Sequence, residues 1–386
     1  MGFKETILFM LNMVNKSLQL ELNKFFEVVL KKDYSISKQA FSENRQKINS
    51  NAFIELNDRI NKVIYEECNE YTLWNGYRLS AIDGSILELP NTKLLRDEFG
   101  YSENQHVNVA IARCRASCIF DVINKIVIKS KIGGYKISER ATAMEMISEM
   151  IATSSMKELI LFDRGYTSIQ LISKLIESNI HFVMRIASNK FKKLIDPEKQ
   201  NQLIQIKYGN KVYTARIIKF LLESDVEEIL ITNLFEESYR IEDFKELYFK
   251  RWGIEIKYDE LKNILEIENF TGTTKIAIEQ DFYASIYLSN MIELARKDSD
   301  KIVKEDRKEK VLKYAYQTNL NSLVGSLKDK LILMFLEENP RKRNKIYKEV
   351  MNQVSKSCIP IRPGRQNYRL KRISRGKYKK NRKRCL

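Results

Sequence analysis

The sequence predicts an α/β fold, a mixed β-sheet flanked by helices, with a helical segment ahead of it and a β-rich insertion within it. Three observations predict this. From Tyr77 to Ile186 the hydrophobic pattern runs strand, strand, strand, helix, strand, helix, strand, an order that stacks a sheet and helices in layers. One of these strands, Leu159-Ile160-Leu161-Phe162, is wholly apolar, as in a strand covered on both faces. Only 13 Gly and 5 Pro occur in 386 residues, so long regular elements dominate, and a chain of this length implies at least two cores.

The elements follow in order. Residues 1–72 read as helices: Leu8, Leu11, Val14, Leu18, Leu20 and Leu22, then Phe25, Phe26, Val29 and Leu30, have roughly helical spacing. Ser35 or Ser37 caps a helix carrying Lys38, Gln39, Asn44, Arg45 and Lys47, a candidate reading helix of a helix-turn-helix. Residues 77–89, 107–122 and 125–132 alternate as three strands of an antiparallel meander. Ser138 to Ile151 is a helix, the apolar strand follows, Ser168 to Ser178 is a second helix and His181 to Ile186 another strand. Residues 205–208 and 212–220 flank Gly209-Asn210 as a hairpin, and Glu228 to Leu234 is a further strand. One long helix is expected over 241–267, a break at Phe270-Thr271-Gly272, and a further apolar helix over 280–295. The divisions are 1–72, helical and DNA-binding; 73–186 with 238–340, the core; 187–237, the insertion; and 341–386, a basic tail.

Composition narrows the function. The five cysteines, Cys68, Cys114, Cys118, Cys358 and Cys385, are scattered with no C-x-x-C pair, which supports neither a disulfide framework nor a zinc site and fits a reducing, cytoplasmic setting. The apolar run Ile7 to Val14 is broken by Asn12 and is too short to span a bilayer, so no membrane partner is expected. The net charge of +17 is localised. Residues 341–386 hold 18 Lys and Arg against one acid, Glu349, and the other 340 residues are balanced at 49 basic and 49 acidic. Tyr368 and Tyr378 lie among Arg365, Arg369, Lys371, Arg372 and Arg375, the chemistry of backbone neutralisation with stacking on a nucleic acid.

Three acids stand out by position. Asp83 lies in the first strand, and Asp163 directly follows the buried apolar strand, where open α/β sheets place functional groups. Glu255 sits in the long predicted helix with Tyr248, Arg251 and Lys262 at offsets of 0, 3, 7 and 14, within an arc of about 60° on one helix face. An i, i+4 pair between Arg251 and Glu255 needs no function, but it leaves the Tyr and Lys in register unexplained. Two aspartates on a sheet and a glutamate on a helix are what a two-metal phosphoryl-transfer site requires, with Asp83, Asp163 and Glu255 as hard oxygen ligands of two Mg²⁺, for which Mn²⁺ substitutes. Arg251 and Lys262 then neutralise phosphates, Tyr248 contacts backbone or a displaced base, and Trp252 stacks or packs. His106 and His181 are too far apart for a zinc spacing, and Asp259 and Glu260 are alternative acids to Glu255.

The spacing of Tyr248, Arg251, Glu255 and Lys262 resembles the Y-(2)-R-(3)-E-(6)-K signature of the IS4-type insertion-sequence transposases. So do Ile82-Asp83-Gly84-Ser85, Phe162-Asp163-Arg164-Gly165-Tyr166, and Leu265-Glu266-Ile267-Glu268-Asn269-Phe270-Thr271-Gly272. The resemblance implies an RNase H-like catalytic core with a D-D-E triad of Asp83, Asp163 and Glu255. Such enzymes cut double-stranded DNA at the ends of their element and join the 3′ ends to target DNA, within a dimeric, nucleoid-associated complex of a bacterium. Where relatives use an aromatic residue of the insertion to receive a flipped base, this chain has Tyr208, Tyr213 and Phe220. The contrasting class is a DNA-binding protein that keeps this scaffold without catalysis.

Overall fold

A computed structural model describes residues 1–12, 17–103, 110–222 and 225–362. Chain order gives α1 (Phe3–Met10), α2 (Leu18–Lys24), α3 (Lys38–Arg45), α4 (Asn51–Lys62), β1 (Arg78–Glu88), α5 (Lys93–Phe99), β2 (Tyr101–Glu103), β3 (Ala110–Asp121), β4 (Ile126–Gly134) and α6 (Glu139–Thr153). It continues with β5 (Glu158–Phe162), α7 (Ile169–Glu177), β6 (His181–Ile186), β7 (Asn201–Tyr208), β8 (Lys211–Leu221) and β9 (Glu227–Thr232). Last come α8 (Ile241–Phe249), α9 (Trp252–Asn263), α10 (Lys275–Glu305), β10 (Tyr316–Thr318), α11 (Leu320–Leu327), α12 (Lys330–Leu336), α13 (Pro340–Val354) and β11 (Cys358–Pro360). Two compact units share them: one is Asp58–Leu87 with Cys114–Tyr258, the other Met1–Asn57, Glu88–Arg113 and Asp259–Leu386.

The first unit is built on a sheet ordered β4-β3-β1-β5-β6-β9-β8-β7. Its first five strands form the mixed core: β3 and β4 are antiparallel, while β1, β5 and β6 run parallel. Taken in chain order this is 3-2-1-4-5, the RNase H-like arrangement. Parallel neighbours need helical crossovers, and α6 and α7 supply them, α6 packing on β4 and α7 on β6. Side-chain oxygens of Ser138 and Ser168 cap the two helices, as their positions in the sequence suggest. Strand β5 is buried throughout, as its apolar run requires. The predicted insertion is no separate layer. Its strands β7, β8 and β9 pair antiparallel and extend the same sheet through β6. At the far end of β1 and β5 from Asp83, Arg78 and Glu158 form a buried ion pair, and the Arg78 guanidinium lies 4.6 Å from the Tyr65 ring centroid. The Tyr65 hydroxyl donates to Asp121 at 2.7 Å.

The second unit is helical. Of the two candidate caps, Ser37 is the one used, its Oγ accepting the Ala40 N–H at 3.2 Å. The reading of α3 as a solvent-facing recognition helix does not hold for Arg45, which is 2% exposed. Its Nε donates to Gln280 at 2.8 Å, Nη1 to Thr271 at 2.6 Å, and Nη2 to Asp281 at 2.7 Å and to the Ala277 carbonyl at 3.2 Å. Every branch of the guanidinium is thus spent on the α10 side, and the cost of burying the charge is met by an ion pair and three neutral acceptors. The helical run expected to reach 267 already ends at Asn263; Phe270-Thr271-Gly272 lies in the non-helical stretch before α10, where Thr271 bonds Asp281 through both its N–H and its hydroxyl. A Cβ on Gly272 would stand 2.6 Å from that of Ala277, so this position must be glycine. The helix expected over 280–295 is longer, α10 with 31 residues. Residues 340–360, expected as the start of a basic tail, form α13 and β11, with Val350, Met351 and Val354 buried. The tyrosine- and arginine-rich stretch 365–378 lies outside the described residues. No helix among the described residues is long and apolar enough to cross a membrane.

Candidate active site

Strands β1 and β5 lie side by side in parallel, and Ile82 and Phe162 face each other at the end of their register. Both are fully buried. One residue further, alternation turns Asp83 and Asp163 to the other face at the C-terminal edge of the sheet. Asp83 is not in a simple turn, since β1 continues to Glu88. Its Oδ1 accepts the Gly84 N–H at 2.8 Å. Asp163 stands at the N-cap of a short 3₁₀ turn, Arg164–Tyr166, and makes no side-chain cap bond. Its carboxylate is therefore not consumed by local structure.

The third acid comes from the helices after the sheet. One continuous helix over 241–267 is the expectation, and the structure corrects it: α8 stops at Phe249 and α9 starts at Trp252. Between them the backbone tightens to i, i+3 bonds, Arg251 N–H to Tyr248 at 3.0 Å and Ile254 N–H to Arg251 at 3.1 Å. The four signature residues therefore do not share one ideal helix face. Tyr248 ends α8, Arg251 sits in the join, and Glu255 lies in the first turn of α9. Tyr248, Arg251 and Glu255 still adjoin: Arg251 Nη2 is 2.7 Å from Glu255 Oε1, and its guanidinium lies 5.8 Å from the Tyr248 ring centroid. Arg251 Nη1 is 4.0 Å from Asp83 Oδ2. Trp252 is exposed and lies 5.6 Å from the same guanidinium, so it is no core residue. Lys262, half-buried near the end of α9, falls in the helical unit.

Electrostatics ties these groups together. Burial pushes the Asp83 carboxyl above its ordinary range; the Gly84 N–H and Arg251 oppose this, while the nearby charges of Glu255 and Asp163 reinforce it. Burial pushes the Tyr248 phenol up to about 12, with Arg251 opposing and Asp163 adding to the rise. Tyr166 is lifted by burial and then by Asp83, and the hydroxyls of both tyrosines are buried without a partner. The donor chemistry of Asp83, Asp163 and Glu255 fits an oxygen-ligated divalent cation, whose charge would relieve the mutual repulsion that Asp83 registers. Their placement stops short of ligation. Among the described residues no three His, Cys, Asp or Glu side chains are gathered to hold one ion.

Several groups here escaped sequence reasoning. Arg185, in the otherwise apolar β6, is ion-paired with Glu228 of β9 and influences Tyr248. Its one signal was a charge interrupting an apolar strand. Tyr258, one turn after Glu255, donates to the Asp83 carbonyl at 3.1 Å and to the Ala116 carbonyl at 3.3 Å, fastening α9 to β1 and β3. Glu139 at the start of α6 pairs with Arg115. A Cβ on Gly84 would come within 3.2 Å of the Glu139 carboxylate, a tight contact to which that side chain would have to yield. Of the alternative acids, Asp259 is exposed and Glu260 bonds Arg296 at 3.4 Å. His181 opens β6 with its ring 4.9 Å from that of Tyr77; His106 lies outside the described residues. In the insertion, Tyr213 and Phe220 are buried and Tyr208 is exposed.

A sheet with two aspartates at the ends of adjacent parallel strands, faced by a glutamate on a following helix, defines the DDE class of nucleic-acid-processing cores. The family model described as transposase DDE domain matches residues 74–291, and the chain belongs to this family. It is 21% identical over 275 residues to the transposase InsG for insertion sequence element IS4 of Escherichia coli (strain K12). That match covers 67% of this chain and 60% of the relative, so the chain spans somewhat under two thirds of that protein's length. Among solved structures, it is similar to a piggyBac transposase in a synaptic complex with hairpin DNA, with a TM-score of 0.45, 13% identity, and coverage of 94% of this chain and 77% of that one.

Proposed function

We propose that the chain is an insertion-sequence transposase that binds the ends of its own element, cuts the DNA there and joins the freed 3′ ends to target DNA, within a dimeric complex. The observation that carries the reading is Arg251 lying 2.7 Å from Glu255 and 4.0 Å from Asp83, with the charges of Glu255 and Asp163 registering on Asp83. Asp83, Asp163 and Glu255 are the residues to hold divalent cations, two Mg²⁺ or Mn²⁺ per site, which when bound supply an activated hydroxyl and neutralise the leaving oxygen. The chain's other groups bind and orient. Arg251, Lys262 and Arg185 neutralise phosphates. The Tyr248 hydroxyl, buried and unpaired, has a donor to offer a phosphate oxygen, and the exposed Trp252 ring offers a stacking face to a base.

The test is strand cleavage of a labelled duplex carrying the DNA that flanks the gene, with Mg²⁺ or EDTA, for wild type and Glu255→Ala. Site-specific cuts that need both metal and Glu255 are expected. Binding without cutting by the wild type would instead identify a DNA-binding protein without catalysis.

A further inference from the structure

Two buried arginines of this chain, Arg45 and Arg251, are bonded in opposite ways. Arg45 has all three nitrogens within 2.6 to 3.2 Å of acceptors, the state of a guanidinium fixed for good. Arg251, with a side chain 8% exposed, makes one short contact, to Glu255 at 2.7 Å. Its other branch stops 4.0 Å from Asp83, beyond hydrogen-bond reach, and its Nε is buried without a partner. A desolvated cation with one hydrogen bond, flanked by the Tyr248 and Trp252 rings at 5.8 and 5.6 Å, is held by charge and ring faces more than by hydrogen-bond geometry. The charge lies between two of the acids that repel one another, in the space where a cation would serve both. Glu255, 38% exposed, has room to turn away from it.

We infer that Arg251 is the centre's own counter-ion. It keeps Asp83 and Glu255 compensated while no metal is bound, it competes with the divalent cation for them, and the cation's entry frees its fork for a DNA phosphate. This rests on the reading of Asp83 and Glu255 as metal-binding residues. The coupling is reciprocal: a phosphate that draws Arg251 away from the acids opens them to the cation, so DNA and metal each tighten the binding of the other.

The experiment is Mn²⁺ binding by calorimetry, on the full chain, for wild type, Arg251→Gln and Asp83→Asn, with thermal melting in EDTA alongside. Arg251→Gln is expected to bind Mn²⁺ about tenfold more tightly than wild type, within the usual range of coupling between sites, and to melt lower in EDTA with the loss restored by Mn²⁺. A short duplex should tighten Mn²⁺ binding to wild type and have a smaller effect on Arg251→Gln. Unchanged or weaker Mn²⁺ binding by a folded Arg251→Gln would overturn the inference while leaving the metal reading intact. Mn²⁺ binding that is absent from wild type, or unaltered in Asp83→Asn, overturns the metal reading and the inference with it. If Arg251→Gln does not fold, Arg251→Lys, which retains charge at a single point, is expected to show a smaller gain in affinity, and no gain would count against the role.

Discussion

At the scale of single residues, the site pairs an acid that resists ionisation with hydroxyls that lack partners. The Asp83 carboxyl holds its proton above the ordinary value of 3.8. The native state therefore binds more protons than the unfolded chain in the window above that value, and stability falls as pH rises through it. Asp83→Asn, neutral at every pH, is expected to melt a few degrees above wild type at pH 7 in EDTA, with the difference closing below about pH 4. A scanning-calorimetry series in pH checks both halves, and an equal offset at all pH values would deny the burial origin. Tyr258→Phe removes the phenol that holds the Asp83 carbonyl and leaves the ring. We expect about 1 kcal/mol less stability, with cleavage slowed about tenfold at unchanged DNA affinity; loss of DNA binding instead would mean a general structural role.

At the scale of elements, the join between α8 and α9 and the clasp between α3 and α10 decide what the sequence could and could not reveal. The parallel strands β1 and β5 were legible because burial on both faces leaves an apolar run, and the aspartates at their ends stood out against it. The join at Arg251 carried one signal, Gly253 directly after Trp252, a residue that weakens a helix; its N–H bonds the Lys250 carbonyl at 3.0 Å within the tightened turn. Arg45 was misread because a basic residue on a short capped helix looks solvent-facing until its partners, 226 to 236 residues away in the chain, are known. Gly272→Ala is expected to lower stability by about 1 to 3 kcal/mol through the Ala277 clash. Arg45→Ala should lower it by about 3 to 5 kcal/mol, since it strands Asp281. Denaturant melts measure each. If either variant matched wild type, the clasp would not be what joins α3 to α10.

At the scale of the whole molecule, charge is segregated from the neutral body. Residues 364–386 alone carry 11 Lys and Arg and no acid. Their deletion should flatten the dependence of DNA affinity on salt, since every phosphate the chain ceases to neutralise takes away roughly one unit of slope; a log–log slope identical to that of the full chain would show that this stretch does not meet DNA. The clasp on Arg45 has a consequence for synthesis as well. Residues 1–57 belong to the same unit as residues from 259 onward, so during synthesis α1 to α3 wait for Asp281 to follow. At 5 to 20 residues per second that delay is roughly 10 to 50 seconds. Through it the Arg45 side chain has no acid to pair with and the Phe9, Phe25 and Phe41 cluster has no α10 to support the helices around it. A polypeptide released early, before residue 281, would keep the core strands yet leave α1 to α3 unfinished and open to proteolysis.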